Sequence, residues 1–332
     1  MNRKKALIAV AASAGALSLM LATVPTASAD PEGAPTYREL AGAGSDTTMD
    51  LVNALSQVVK INDVKVIGSY NASPSTTETF QTKDDPNCVF TRAQGNGSGN
   101  GVKLLAASIA AGDGCLQFAR SSSSKKDTDP TGLTWIPFAK DAVTFAVRSD
   151  GSVAKSLSIA ELTAIYKCET PSVVPVLPQL NSGTRSFWLG RFGITEDQIA
   201  AGTYPCLLPK SAGGQGVEYT QEHDGRQLKA NEIQPYSIAV WQAQASGAAA
   251  DRRGMTVLGV LEGKAPTLLN TASPYNRNVF NVVPTDKVTD PTSTEYTVFV
   301  GKDSLICQAT EAIGQQGFGT LGDTCGDTNS RS

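Results

Sequence analysis

Short runs of β-branched residues alternate along the chain with stretches of helical periodicity, and this alternation limits the folds that are open to it. The predicted strands are 64–67, 142–147, 237–240 and 279–283. The predicted helices are 47–59, 101–111 and 158–166. Because strands that alternate with helices pair mostly in parallel under a helical layer, we expect an α/β layered fold with a largely parallel sheet.

The composition of the 332 residues narrows the classes of function. Hydrophobic residues make up 40% and charged residues 18%, which is typical of a globular chain and not of a disordered one. The formal net charge is −3 and the basic residues form no long run, so no nucleic-acid partner is expected. The nucleotide motif Gly-x-x-x-x-Gly-Lys-Ser/Thr does not occur, and no cofactor is expected.

The first 29 residues have the three parts of a secretory signal. They are a basic start at 3–5, an apolar run at 6–21 and small residues at 27–29. The apolar run is shorter than the roughly 20 residues that cross a bilayer, so cleavage after residue 29 is predicted. No Cys lies near that position to carry a lipid anchor, and we therefore expect a secreted, extracellular protein.

Six Cys residues follow the predicted signal, and an even number in an exported chain favours disulfide bonds. Sequence leaves their pairing open, but we expect neighbours along the chain to pair because each bond then closes a local loop. A zinc site is the alternative, but the chain has no Cys-x-x-Cys pair and a single His. The candidates are Cys88, Cys115, Cys168, Cys206, Cys307 and Cys325.

Three polar turns, at 42–48, 95–101 and 181–185, run into helical or apolar stretches and are rich in Gly and hydroxyl residues. The first N–H groups of a helix lack partners within it, and its dipole places about half a positive charge there. Such ends bind oxyanions through backbone donors and hydroxyls. The alternative is that four residues only cap their helices: Ser45, Asp46, Ser98 and Ser182.

The order of these motifs resembles the phosphate-binding proteins that serve bacterial ABC importers. The resemblance rests on four motifs: Gly-Ala-Gly at 42–44, Gly-Ser-x-x-Gly-Val-Lys at 97–103, Phe-x-x-Ser at 118–121 and Ser-Gly-Thr at 182–184. The resemblance covers most of residues 40–192 and extends more weakly over the rest. Its specific parts are the Gly-Val-Lys ending and the Ser-Gly-Thr that precedes an aromatic helix.

This resemblance implies the type II periplasmic-binding-protein fold. In that fold two α/β lobes, each a sheet flanked by helices, are joined by two crossing segments, and the ligand lies between the lobes. In this chain, lobe one would comprise 30–138 and 275–332, and lobe two 139–274. The crossings would fall near 135–138 and 273–276, and the three polar turns would meet in the cleft.

The resemblance also implies a ligand site. The turns would donate backbone N–H and hydroxyl groups to a small oxyanion, phosphate being the expected ligand. An ABC importer would be the partner of this monomeric binding protein. The candidate ligand-binding residues are Asp46, Thr47, Ser98, Arg120, Ser121, Ser122, Ser182, Gly183, Thr184 and Arg185.

Three positions depart from the family pattern. Asp46 stands where the family carries Thr, Ser122 aligns with the Asp that accepts the proton of monohydrogen phosphate, and Pro178 aligns with an Arg. A buried dianion needs charge-assisted donors of about 1.5–3 kcal/mol each, which Arg120 or Arg185 could supply. Asp46 could accept the ligand's proton or cap its helix. The alternative function is a secreted interaction or adhesion module, or a binder of another small polar ligand, that has lost phosphate binding.

An enzyme is less favoured. Hydrolysis through the single His, His223, needs a serine nucleophile within hydrogen-bonding reach, and the chain has no Gly-x-Ser-x-Gly motif. A metal site at Glu222, His223 and Asp224 would need ligands from elsewhere, and no metal is predicted. We expect His223 to lie in a polar loop at the rim of the cleft.

Overall fold

The computed structural model describes residues 30–72, 77–267 and 275–329, so the predicted signal lies outside the described residues. The strands in this part of the chain are β1 (Leu40–Gly44), β2 (Lys60–Ile61), β3 (Val64–Lys65), β4 (Ile67–Ser69), β5 (Thr79–Gln81), β6 (Val89–Thr91), β7 (Phe118–Ser121), β8 (Leu133–Arg148), β9 (Ser156–Leu157), β10 (Val174–Pro175), β11 (Glu232–Ser237), β12 (Thr256–Leu258), β13 (Val260–Leu261) and β14 (Asn276–Pro284).

The α-helices of the described residues are α1 (Met49–Val58), α2 (Ser98–Ala111), α3 (Ile159–Tyr166), α4 (Gly183–Arg191), α5 (Glu196–Ala200), α6 (Ile238–Ser246), α7 (Thr294–Phe299), α8 (Leu305–Gln308) and α9 (Thr310–Gln315). Three of them, α1, α2 and α4, start at the polar turns. Within the described ranges, none of these helices combines the length and the apolar character that crossing a membrane requires.

The main sheet has the strand order β10–β11–β8–β14–β7–β1–β4, and β12 also pairs with β8. β1 runs parallel to β4 and β7. β14 runs antiparallel to β7 and β8, and β8 runs antiparallel to β11 and β12. The sheet is therefore mixed, and the expectation of a largely parallel sheet is wrong because the long central strands β8 and β14 oppose their neighbours.

The strand β8 connects the two lobes of the fold. Its residues 133–142 pair with β14, whereas its residues 143–148 pair with β11 and β12. One apolar cluster, with the buried Trp135, packs on the first part of the sheet, and another, with the buried Trp188, packs on the second. A third cluster, which contains both Leu40 and Ala146, spans the two parts. The α/β fold with two lobes that the resemblance implied is thus confirmed.

The boundaries of the lobes stay a prediction. The expected division after residue 138 falls inside β8, where the strand changes its pairing partners a few residues later. The second expected division, after residue 274, adjoins residues 268–274, which lie outside the described residues.

Most predicted elements are observed, but the strand at 237–240 is wrong. β11 ends at Ser237 and α6 begins at Ile238. The Ser237 Oγ atom accepts a hydrogen bond from the Val240 N–H at 3.2 Å, so the chain turns into a helix at this capping residue. The run Ile-Ala-Val suggested a strand because it is apolar and β-branched, but helical packing overrides that propensity.

Three disulfide bonds join neighbouring Cys residues, as expected: Cys88–Cys115, Cys168–Cys206 and Cys307–Cys325. The bonded residues are 27, 38 and 18 positions apart in sequence. In the chain-entropy description, loops of this length stabilise the folded chain by about 3–4 kcal/mol each. The three bonds therefore contribute substantially to holding the loops around the sheet.

Candidate functional site

Hydroxyl groups from the three polar turns and from the end of β7 form one buried network. The Thr47 Oγ1 atom lies 3.1 Å from Ser122 Oγ and 3.0 Å from Thr184 Oγ1. Ser122 Oγ also lies 3.0 Å from Ser45 Oγ and 3.4 Å from Ser98 Oγ. We call these five residues the hydroxyl network, and each is at most 1% exposed. Turns that are far apart in sequence therefore meet at one place.

Three helices begin at this network. α1 begins at Met49, α2 at Ser98 and α4 at Gly183. Among the described residues, the backbone N–H groups of Thr47, Ser98 and Gly183 donate to no protein acceptor. The positive ends of three helix dipoles and several open N–H donors thus lie together, which favours negative charge at this point.

The capping alternative holds for only one of these turns. Ser182 caps α4, because its Oγ accepts a hydrogen bond from a backbone N–H of the first helical turn at 3.0 Å. Thr48 and Gly97 occupy the cap positions of α1 and α2, and neither helix has a side-chain cap bond. Ser45, Thr47 and Ser98 instead direct their hydroxyls to the network, whereas Thr48 Oγ1 has no partner among the described residues.

Gly183 allows α4 to start against the other two turns. A Cβ atom at this position would lie 2.3 Å from Ser122 Oγ and 2.4 Å from Ser98 Oγ. Contacts this short do not occur for real side chains, so any other residue would push the third turn away. Gly190 lies in the same helix and has nothing within 4 Å of its Cβ position.

The guanidinium group that joins the network belongs to Arg277 in β14, which the sequence analysis missed. Its Nη2 atom donates to Thr184 Oγ1 at 2.9 Å and to Thr47 Oγ1 at 3.3 Å. Its Nε atom donates to the buried Asp141 Oδ2 at 2.9 Å. The available signal was Asp141 directly before one predicted apolar strand and Arg277 two residues before another, since charged residues this close to buried strands are seldom buried unless they are paired.

The two arginines predicted as ligand donors have other partners. Arg120 Nη1 donates to Ser69 Oγ at 3.0 Å and Nε to the Ser45 carbonyl at 3.2 Å, so it supports the first turn. Burial lowers the pKa of Arg120 to about 10, although Asp46 and Asp50 oppose this shift. Arg185 donates twice to Glu196, at 2.7 Å each, and neither guanidinium group is among the described hydrogen-bond partners of the network's hydroxyl groups.

Ser121 and Asp46, two further candidates, lie beside the network. Ser121 Oγ donates to the Ser123 carbonyl at 2.8 Å. Asp46 Oδ1 lies 3.0 Å from His223 Nδ1, and Asp46 Oδ2 accepts from Gln221 Nε2 at 2.8 Å. Because a carboxylate only accepts, His223 carries its hydrogen on Nδ1. Both oxygens of Asp46 are therefore engaged by the protein.

Asp46 belongs to a second buried group, the ionic cluster, which we define as Asp46, Glu222, His223 and Arg252. Arg252 Nη1 lies 3.9 Å from Asp46 Oδ2. His223 is 1% exposed, so the expected position at the rim of the cleft is wrong. The contact with Asp46 satisfies one ring nitrogen of this buried imidazole. The other, Nε2, has no hydrogen-bond partner among the described residues.

Glu222 connects the ionic cluster to the third turn. Its Oε2 accepts a hydrogen bond from Ser182 Oγ, whereas its Oε1 has no partner among the described residues. Burial raises the pKa of Glu222, with His223 opposing the shift and Asp46 reinforcing it. A buried carboxyl with one open oxygen beside a helix N-terminus can accept a proton from a bound group.

Asp46, Glu222 and His223 each offer an atom to a metal ion, and these atoms lie within 4.8 Å of one another. The surroundings do not suit a cation, however. Both Asp46 oxygens have hydrogen-bond partners, and the Arg252 guanidinium beside them would repel a second positive charge. The negative charge of Asp46 is already offset by the protein's own groups, and we assign no metal centre to the ionic cluster.

Comparisons with known proteins bear on the fold. A family model described as a PBP superfamily domain matches residues 29–299. A Clostridium perfringens protein, described as a phosphate ABC transporter substrate-binding protein with bound phosphate, is 15% identical with a TM-score of 0.55, covering 85% of this chain and 99% of its own. That structure and the family model show the fold.

Two further solved structures match with lower TM-scores. An ABC-type phosphate transport receptor from Vibrio cholerae is 14% identical with a TM-score of 0.49, covering 85% of this chain and 100% of its own. An OxyR mutant from Corynebacterium glutamicum is 12% identical with a TM-score of 0.49, and the match covers 87% of this chain and 71% of the OxyR chain. No curated protein matches the chain.

Proposed function

The chain belongs to the PBP superfamily, and from this premise we propose that it is an exported binding protein that encloses a small oxyanion, phosphate first, between its lobes. One observation carries the proposal: three helix N-termini and Arg277 meet at the hydroxyl network. Hydroxyl, N–H and guanidinium groups can all donate, and an oxyanion offers several acceptor oxygens to such a surface. The phosphate bound by the Clostridium protein of the same fold supports this choice.

Closure of the lobes would assemble the proposed site. Thr47 comes from the first turn and Thr184 from the third, so the two hydroxyls approach each other only when these segments are close. Ligand oxygens would replace the hydroxyl-to-hydroxyl bonds and draw both segments toward the same anion. Donors that are shielded from water bind charge more strongly, which stabilises the closed form.

The proposed ligand contacts differ in part from those predicted from sequence. We retain Thr47, Ser98, Ser122, Gly183 and Thr184 as donors. Arg277 supplies the charge that was expected from Arg120 or Arg185. Glu222 takes the role of proton acceptor considered for Asp46, because its Oε1 is open whereas both Asp46 oxygens are engaged.

Export and delivery complete the proposal. The six Cys residues pair completely, which suits an oxidising compartment outside the cytosol. The predicted signal at residues 1–29 would direct the chain there. Once secreted, the protein would act as a monomeric binder rather than an enzyme, and an ABC importer is its proposed partner.

Calorimetric titration of the mature chain with phosphate tests the function. We expect heat of binding and a raised melting temperature, because a ligand that binds only the folded state stabilises it. Thr184→Val should weaken binding about tenfold by removing one hydroxyl donor. The matched control, Thr163→Val, removes a hydroxyl that bonds only within α3 and should bind normally. No heat and no melting shift at millimolar phosphate would refute the proposal.

A secreted interaction or adhesion module is the second candidate, and one observation favours it. The hydroxyls of the network already bond to one another and to Arg277, so these side chains have partners without a ligand. Pro178 also stands where the family has an Arg. A stable, folded chain that binds neither phosphate nor sulfate would favour this candidate over the first.

A further inference from the structure

Amide side chains from three segments meet beside the second and third polar turns. Asn96 Nδ2 donates to Gln221 Oε1 at 3.0 Å, and Asn96 Oδ1 accepts from Gln179 Nε2 at 3.1 Å. Gln221 Nε2 continues this chain of bonds to Asp46 Oδ2 at 2.8 Å. We call Asn96, Gln179 and Gln221 the amide clasp. None of the three is a proposed ligand donor, so the clasp is compatible with both the free and the occupied site.

The amide clasp joins the two parts of the main sheet. Asn96 lies two residues before α2, and α2 packs on β1 and β7. Gln179 follows β10, which pairs with β11 in the other part of the sheet. The Gln179 N–H donates to the Thr220 carbonyl at 2.8 Å, which holds the neighbouring Gln221 on the same side. Each bond from Asn96 to these glutamines therefore crosses from one lobe to the other.

A backbone contact between the second and third turns accompanies the clasp. The Gly99 N–H donates to the Asn181 carbonyl at 3.0 Å. Gly97 makes this approach possible, because a Cβ atom there would lie 2.6 Å from the Asn181 oxygen. Gly99 is the second residue of α2, so its N–H has no acceptor within the helix and relies on Asn181. Exchange of this amide with water therefore reports separation of the lobes.

Buried groups behind the clasp favour the same closed arrangement. Gln221 bonds to Asp46 of the first turn, and Asp46 also contacts His223 and Arg252, which follow Gln221 along the chain. Moving the first turn away would separate Asp46 from these two buried partners, which is costly. The clasp itself is neutral and partly exposed, so water can replace its bonds at a small net cost. The closed form is therefore favoured, and the clasp is its weakest crossing.

We propose that the amide clasp keeps the lobes closed between binding events, so that a ligand enters and leaves only after the clasp opens. The three amides are then positioning residues that set the rate of ligand exchange. This inference rests on the proposed function for its ligand, whereas the closed resting state is testable on the protein alone. Because the clasp bonds form in the free and the occupied protein, weakening them raises the open fraction in both, and entry and exit become faster together.

Hydrogen exchange of the Gly99 amide, followed by NMR on the mature chain, tests the resting state without a ligand. Asn96→Ala removes two side-chain bonds between the lobes and should speed this exchange about tenfold. The matched control is Asn100→Ala, because the described bonds of that side chain go to the neighbouring Ala93 and Asn96 carbonyls on its own lobe. The control should stay within about twofold. Unchanged exchange in Asn96→Ala, or an equal gain in the control, would overturn the proposal.

Stopped-flow binding of phosphate measures the gate itself. In Asn96→Ala the association and dissociation rate constants should both rise about tenfold, with Kd within about threefold. Gln221→Ala breaks the clasp from the other lobe and should repeat both the kinetic and the exchange results. A residue that only supported the fold would lower stability without raising the association rate.

The remaining outcomes separate the gate from the proposed function. Unchanged rate constants in both clasp variants, or faster dissociation with no gain in association, would overturn the gate and leave phosphate binding in place. If the unaltered protein and its variants bind no phosphate, the proposed function fails, and the Gly99 exchange rates alone decide whether the clasp holds the lobes closed.

Discussion

The hydroxyl network and the ionic cluster lie side by side, and each joins the first turn to a distant segment, but their chemistry differs. The network is mostly uncharged, and a hydroxyl can donate or accept, so its members can exchange partners at little cost. The ionic cluster holds buried charges that offset one another's desolvation, and separating them is expensive. We therefore assign ligand capture to the hydroxyl network. The ionic cluster holds the first turn against the distant segment.

The largest effect is expected from Arg277→Gln. Phosphate affinity should fall about a hundredfold or more, because the charge-assisted donation to the site disappears. The folded state should also lose about 3–5 kcal/mol, because the buried Asp141 loses its ion-pair partner and keeps only the hydrogen bonds from Ser237 and Ala239. Titration calorimetry and urea unfolding measure the two effects.

The variant Arg277→Gln/Asp141→Asn separates these consequences. Stability should largely return, since no uncompensated buried charge is left, but affinity should stay low. If Arg277→Gln bound phosphate like the unaltered protein, the site would not be at the hydroxyl network.

Gly183→Ala tests whether the network needs the close approach of α4. The added methyl group would strike Ser122 and Ser98, so we expect a loss of about 1–3 kcal/mol in stability and at least about tenfold in affinity. Gly190→Ala in the same helix is the control and should raise stability by about 0.5–1 kcal/mol with unchanged affinity. Equal behaviour of the two variants in titration would contradict the proposed packing.

Glu222→Gln sharpens the comparison, because Glu222 touches both regions. If its open oxygen accepts the ligand's proton, the ratio of phosphate to sulfate affinity should fall about tenfold in the variant. Competition titration with both anions measures this ratio. A ratio that does not change would remove Glu222 from the site.

The pH dependence of unfolding gives a second readout of Glu222. Burial raises its pKa in the folded chain, so the folded state holds the proton more tightly than the unfolded state. The stability linked to this proton is complete below the ordinary glutamate pKa and is lost as the pH rises through the raised value. Glu222→Gln should flatten that part of the curve, and an unaltered curve would count against the buried acid.

The smallest effect on binding is expected from a change in the ionic cluster. His223→Phe removes the donor to Asp46 and should lower stability by about 1–3 kcal/mol, with phosphate affinity within about threefold. His223→Asn, which keeps a side-chain donor, should recover part of that stability. A large loss of affinity without loss of stability would assign His223 to the ligand instead.

Local features could be predicted from sequence, and contacts between distant segments could not. The helical patterns at 47–59 and 158–166 predicted α1 and α3, and chain order predicted the disulfide bonds. The meeting of the turns came from the family resemblance and not from spacing. Arg277 and Glu222 were missed because only sheet pairing and a folded-back loop bring them to the turns.

The central claim is that the open N–H groups at three helix starts share one ligand, and amide NMR during a phosphate titration tests it most directly. We predict that the amide signals of Thr47, Ser98 and Gly183 shift together along one saturation curve, with the Kd that calorimetry gives, while the amide of Gly190 stays in place. Phosphate that binds with measurable heat but leaves these three amides unmoved would contradict the account.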